Sequence, residues 1–219
     1  MLVRIISIDL AAAAVFITCW YFWFLRANRR KAVQVLGWIE RAFDGHAQIV
    51  GVNWLSASRF RLRLRLSPSQ FRQTWLTVQL YPREMPIHWL VCRLMRRHET
   101  LTFEADLDTP PSFNLEVHNH RWCGRTRRKF PQRSENWSLE RTNAFVITTR
   151  NDWQREITNL MNPLMASREC DCLTVNFQRT TPNFSATVPL QSISPQCDSE
   201  TNIFNVLREL ASGASASRF

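Results

Sequence analysis

Arg59–Leu66 reads RFRLRLRL, with arginine at every odd position and Phe or Leu at every even one. Successive side chains of a strand point to opposite faces, so this stretch predicts a β-strand with one apolar and one cationic side. Thr100–Leu107 (TLTFEADL) repeats the pattern with the opposite charge: Glu104 and Asp106, then Asp108 beyond, alternate with Phe103, Ala105 and Leu107. If the two strands are neighbours, their charged faces form a cross-strand ladder, each pair contributing about 0.2–1 kcal/mol. Arg59, Arg61, Arg63 and Arg65 also project about 7 Å apart, near the phosphate spacing along a nucleic-acid strand. The ladder, or a simply solvated face, is the preferred expectation over that binding surface.

Reading outward, strand patterns dominate. Upstream lies Gln48–Trp54, and downstream Thr74–Tyr81 (TWLTVQLY), ended by Pro82. Pro86–Arg97 (PIHWLVCRLMRR) predicts a short helix, with proline at its first position and basic residues in its last turn. Ser112–Val117, Ala144–Thr149, Leu173–Phe177 and Phe184–Leu190 are further predicted strands, and residues 119–142 a polar, basic connection. Asp152–Leu164 predicts a helix with Trp153, Ile157, Leu160 and Leu164 on one face, and Asn202–Leu210 a last one. Residues 30–44 place Val33, Leu36, Ile39 and Phe43 at helical spacing before the Asp44-Gly45 stop. Many short alternating strands with few helices between them predict an α+β domain with a mostly antiparallel sheet and three or four helices. Of the nine tryptophans, Trp38, Trp54, Trp75, Trp89 and Trp153 are expected on apolar faces of these elements.

Leu10–Leu25 is LAAAAVFITCWYFWFL, with no formal charge, and extending back to Ile5 gives a predicted transmembrane helix of about 31 Å. Leu10, Val15, Phe16, Ile17 and Leu25 supply its apolar surface, and Trp20 and Trp23 suit the headgroup level. Asp9, near one end, can still reach the headgroups. The run ends in bulky aromatics and arginines rather than a small-residue cleavage site, and Thr18 before Cys19 does not suit lipoprotein processing, so a retained anchor is expected over a signal peptide. Arg4 precedes the span, whereas Arg26, Arg29, Arg30, Lys31 and Arg41 follow it. That asymmetry predicts the N-terminus outside, the folded domain in the cytoplasm, and location in the cell (inner) membrane. The expected layout is therefore an anchor with its basic flank over 1–31, one domain over 32–212 and a flexible tail over 213–219.

Net charge is +10 over 219 residues, and beyond residue 31 there remain 23 basic against 17 acidic side chains. Phosphates, anionic headgroups or acidic proteins are the partners such a balance favours. Arg121, Arg125, Arg127, Arg128, Lys129 and Arg133 cluster around Trp122 and Phe130, and near a membrane such a segment suits anionic lipid headgroups or an acidic protein partner. Nucleic acid is the least favoured partner, and a merely solvated loop remains the plain alternative. His118, His120 and Cys123 form the one metal-like set, with Cys170, Cys172, His98 or His88 as a conceivable fourth ligand. Histidines two apart on a strand also simply share a face, and no CxxC pair supports zinc. Six cysteines, five of them outside the span and without repeated spacing, do not make a disulfide framework. Asn136-Trp-Ser138 and Asn183-Phe-Ser185 match glycosylation acceptors but carry no meaning in a cytosolic domain.

Glycine-rich phosphate loops and a nucleophile elbow are both missing, and Asp106-x-Asp108 is a bare acidic pair beside Pro110-Pro111. No catalytic residue and no cofactor is expected. The stretches Leu115–Arg125 (LEVHNHRWCGR), 152–157 (DWQREI) and 184–190 (FSATVPL) resemble uncharacterised bacterial single-pass membrane-anchored proteins, a likeness that implies no activity. The sequence thus points to a membrane-anchored accessory or scaffold protein. A membrane-associated enzyme, metal-dependent through Asp106/Asp108 or His118/His120/Cys123, and a tethered nucleic-acid binder are the alternatives.

Overall fold

The computed structural model describes residues 2–43, 47–66, 71–108, 110–111, 113–119, 137–142, 145–150, 173–193 and 205–210. Its first element, α1 (Leu2–Phe43), is one helix of 42 residues, about 63 Å long. The helix is unbroken at Arg30. The predicted membrane helix and the predicted helix over 30–44 are a single rod, and position 31 falls inside it. The rod changes character along its length. From Arg4 to Cys19 every residue is exposed, mostly apolar ones included, whereas Ala32, Val35, Ile39 and Phe43 are buried. A helix apolar all round and unburied does not suit water, and α1 is long and apolar enough to cross a membrane.

Among the described residues nine strands follow: β1 (Ala47–Trp54), β2 (Arg59–Leu66), β3 (Phe71–Gln79), β4 (Thr100–Leu107), β5 (Leu115–Asn119), β6 (Trp137–Thr142), β7 (Phe145–Arg150), β8 (Thr174–Phe177) and β9 (Phe184–Pro189). They form one sheet in the order β1-β2-β3-β4-β9-β8-β5-β7-β6, every neighbouring pair antiparallel. Helix α2 (Pro86–Leu94) joins β3 to β4, a 3₁₀ turn (Leu190–Ile193) follows β9, and residues 205–210 are helical, here α3. β6 lies within the stretch expected to be only a connection; its sequence, WSLERT, lacks a clean alternation. The helix expected over 152–164 and the tail lie outside the described residues.

One face of the sheet is apolar because each strand alternates in register with the next. Phe60, Leu62 and Leu64 of β2 continue into Leu76 and Val78, then Leu101, Phe103 and Ala105, then Phe184, Ala186 and Val188. Ala32, Val35, Ile39 and Phe43 of α1, with Val206, Leu207 and Leu210 of α3, join them in one core. The other face is polar. Across it, Arg63, Trp75, Glu104, Ser185, Asn176 and Glu116 share one row.

That row corrects the expected ladder. β2 and β4 are not neighbours, because β3 runs between them. The arginines and carboxylates do share a face of one sheet, but they meet only by reaching over β3: Arg61 pairs with Glu104 while its guanidinium lies 5.0 Å from the Trp75 ring centroid. Trp75 is correspondingly on the charged face, not the apolar one. Asn183 is buried and its amide donates to the carbonyls of Gln178 (3.4 Å) and Arg179 (3.2 Å), so the acceptor-like triplet there serves the β8–β9 turn.

Candidate membrane-interface collar

A stripe of α1 at helical spacing, Trp20, Phe24, Asn28, Ala32, Val35, Ile39 and Phe43, faces the domain, and side chains four apart stack on one side of a helix. Its upper part is the core contact just described. Its lower part meets residues 81–85 and Glu99, and here the contacts turn polar. Trp20 Nε1–H donates to the Arg83 carbonyl at 3.0 Å. Asn28, fully buried, donates from Nδ2 to Glu84 Oε2 at 3.0 Å and to the Tyr81 carbonyl at 3.4 Å. Glu99 gathers Lys31 Nζ from α1, an Arg83 guanidinium nitrogen at 3.3 Å and the Tyr81 backbone N–H at 3.3 Å. Two cations and a backbone donor converging on one carboxylate clamp the β3–α2 connection to the rod. Arg29 lies over the Trp54 ring at 3.4 Å from its centroid, which fastens β1 to the same length of α1.

The connection owes its shape to its sequence. Pro82 ends β3 and Pro86 opens α2 at the first helical position, where its missing N–H is not needed. Residues 81–85 therefore fold as turns, with Arg83 N–H on the Tyr81 carbonyl (2.8 Å) and Met85 N–H on the Pro82 carbonyl (3.2 Å). At its far end α2 closes with two reversed bonds, Arg96 N–H to the Arg93 carbonyl (3.1 Å) and Arg97 N–H to the Cys92 carbonyl (3.0 Å), and Arg96 takes φ 49°. This is the cap that glycine usually fills. The Tyr81 hydroxyl donates to the Arg97 carbonyl and so ties both ends of the α2 segment together. Burial, and then the Glu99 carboxylate, raise the Tyr81 phenol above its ordinary 10.0, with the Arg83 guanidinium opposing.

Trp20, Tyr21 and Trp23 sit on different sides of α1. Trp23, Phe16, Ile17, Val15 and Leu10 are exposed, Leu25 is partly covered, and Trp20 is partly covered by the collar. Of the metal-like set, His118 pairs with Glu116 at 2.8 Å on the polar face, while His120 and Cys123 lie outside the described residues. The basic cluster Arg121, Arg125, Arg127, Arg128, Lys129 and Arg133 also lies outside them. Among the described residues no three His, Cys, Asp or Glu side chains are grouped so as to hold a metal ion. Asp108 lies 3.9 Å from Arg72, and Asp106 stays apart on β4. A cleft of about 310 Å³ between Asn114, Glu116, Asn176, Gln178 and Arg179 lies where β5 begins and β8 finishes.

Sequence reasoning missed the collar's Asn28, Tyr81, Glu84 and Glu99. One signal was present: Asn28 is an uncharged polar residue on the otherwise apolar stripe, four residues from Phe24 and four from Ala32. Its partners come from more than fifty residues away, a distance no local pattern encodes. No protein-family model matches the chain, and no similar curated protein was found.

Proposed function

We propose that the chain is a single-pass, membrane-anchored accessory or scaffold protein whose sheet domain, on the cytoplasmic side of the inner membrane, acts by contact rather than by catalysis. The observation that carries this reading is the character of α1. Its exposed apolar part suits lipid, and the same unbroken rod becomes a core element of the domain, so the domain has a fixed stance relative to the bilayer. A flexible tether lets a domain roam; a rod clamped by Asn28, Lys31 and Arg29 presents a constant face. The basic flank Arg26, Arg29, Arg30 and Lys31 supports the orientation. The cluster Arg121–Arg133 supplies the contact chemistry, for anionic headgroups or an acidic protein.

The test is fractionation, topology and co-purification together. The protein should stay with membranes through carbonate washing, and a reporter fused after Phe219 should work only in the cytoplasm. Solubilised membranes should yield a reproducible partner that is lost when Arg125, Arg127, Arg128 and Lys129 become alanine. Release by carbonate refutes the span, and a reporter active only outside refutes the orientation. A turnover that survives in purified, partner-free protein refutes the scaffold.

A further inference from the structure

Helix α2 carries a face that the core does not use. Met85, Ile87, Leu90, Val91, Leu94 and Met95 are all exposed, Ile87 at 80% and Leu94 at 74%, whereas Cys92 is buried. At about 100° per residue, Ile87, Leu90, Val91 and Leu94 fall on one arc and Cys92 and Trp89 on the opposite one. Arg93 and His88 flank the apolar arc, and Arg96 and Arg97 follow it, all four exposed. This division is that of a helix lying in a membrane surface: apolar face to the acyl boundary, cations at its margins.

The collar says where the helix stands. The turn that opens α2 is held at the level of Trp20 by the Arg83 carbonyl, and about two turns further along α1 by Glu84 on Asn28. Trp20 lies five positions before Leu25, the end of the uncharged run, which is about 7.5 Å along the rod. An in-plane helix buries its apolar face about 5–10 Å into the headgroup boundary, so α2 starts at the matching depth. Arg26, Arg29 and Arg30 stand exposed on the adjoining stretch of α1 and give the same region a cationic surround. A span and an exposed apolar helix fixed to each other at the same depth share one occupant.

We propose that α2 is a second membrane contact, seated in the cytoplasmic leaflet with Ile87, Leu90 and Leu94 in the acyl boundary and Arg93, Arg96 and Arg97 among anionic headgroups. This rests on the reading that α1 spans the bilayer. Two attachments, one across the membrane and one in its plane, stop the rod from rotating about its axis. The polar sheet face is then presented in one direction.

The test uses the unmodified full-length chain in vesicles of phosphatidylcholine and phosphatidylglycerol that carry a phospholipid with a diazirine near the headgroup end of its acyl chain. Photo-adducts mapped by mass spectrometry should appear on α1 between residues 5 and 25 and on α2 between 87 and 95, with none on Arg59–Leu66. Ile87→Asp with Leu94→Asp should remove the α2 adducts and leave those on α1. Vesicles of phosphatidylcholine alone should lower α2 labelling; unchanged labelling there overturns the headgroup part. Adducts on α1 alone overturn the α2 proposal and leave the span intact. Adducts on neither remove the span reading as well, and α2 crosslinked to a second copy in place of lipid makes the face a dimer contact and overturns the proposal.

Discussion

Asn28 is fully buried between α1 and the β3–α2 connection. Its amide supplies a donor to Glu84, a carboxylate only 8% exposed, and its own Oδ1 has no hydrogen-bond partner among the described residues. Asn28→Ala therefore removes Glu84's donor from α1, and the cost should be about 1–3 kcal/mol in denaturant unfolding of the detergent-solubilised chain. A change within measurement error would mean that Glu84 finds water instead. Tyr81 gives the collar a pH dependence of known sign. Its phenol is raised above 10.0, so the folded state holds the proton more tightly than the unfolded one. The contribution is complete below pH 10.0 and is lost as pH climbs from there through the raised folded value. Tyr81→Phe should flatten that limb of the alkaline unfolding curve; an unchanged limb would place the effect on other groups.

Among the elements, α1 is one helix of two characters, exposed and apolar toward its start and buried against the sheet toward its end. Its stripe residue Ile39 is fully buried, whereas Val33 is 68% exposed. Ile39→Ala should cost about 2–5 kcal/mol, and Val33→Ala almost nothing, although the two look alike in the amphipathic pattern. Equal losses would indicate that the rod docks on a different face. Helix α2 ends on a non-glycine residue with φ 49° at Arg96. Arg96→Gly should raise stability by about 1 kcal/mol through relief of that left-handed conformation. A loss of stability instead would show that the Arg96 side chain contributes more than its backbone costs. β2 and β4 teach the opposite lesson about charge. Arg61 and Glu104 meet over Trp75, two strands apart, and the Arg61 side chain is 38% exposed, so this pair contributes little.

At the scale of the whole molecule, residue 31 lies inside α1, and the contacts of the collar reach back to Trp20. A fragment starting at residue 32 lacks Trp20, Asn28, Arg29 and Lys31, leaving Glu84 and Glu99 without their α1 partners. A fragment starting at residue 20 keeps all four. The shorter fragment should unfold at lower denaturant concentration than the longer one, with the same slope if both keep the sheet. Identical midpoints would mean that the collar adds nothing to the fold. The rod's continuity also fixes the stance of the sheet: its polar row from Arg63 to Glu116 keeps one direction with respect to α1.

The sequence by itself determined the elements whose cause is local. Alternation in RFRLRLRL and TLTFEADL gave β2 and β4 to the residue, because a period of two is a property of the strand alone. Uncharged length marked the apolar part of α1, and Pro86 marked the start of α2. β6 escaped because its apolar/polar alternation lasts only from Trp137 to Glu140 before Arg141 and Thr142 break it. What only the tertiary structure decided is who meets whom. That β3 separates the arginine strand from the acidic one, that Trp75 stands on the charged face, and that Asn28 finds Glu84 all depend on strand order and helix docking. The exposed side of α2 belongs here too. PIHWLVCRLMRR has apolar residues on two sides, Ile87–Leu90–Leu94 and Trp89–Cys92, and only docking through Cys92 and the clamp at Trp20 leaves Ile87 and Leu94 facing outward. A short apolar run states that burial is favourable; the packed chain decides against what.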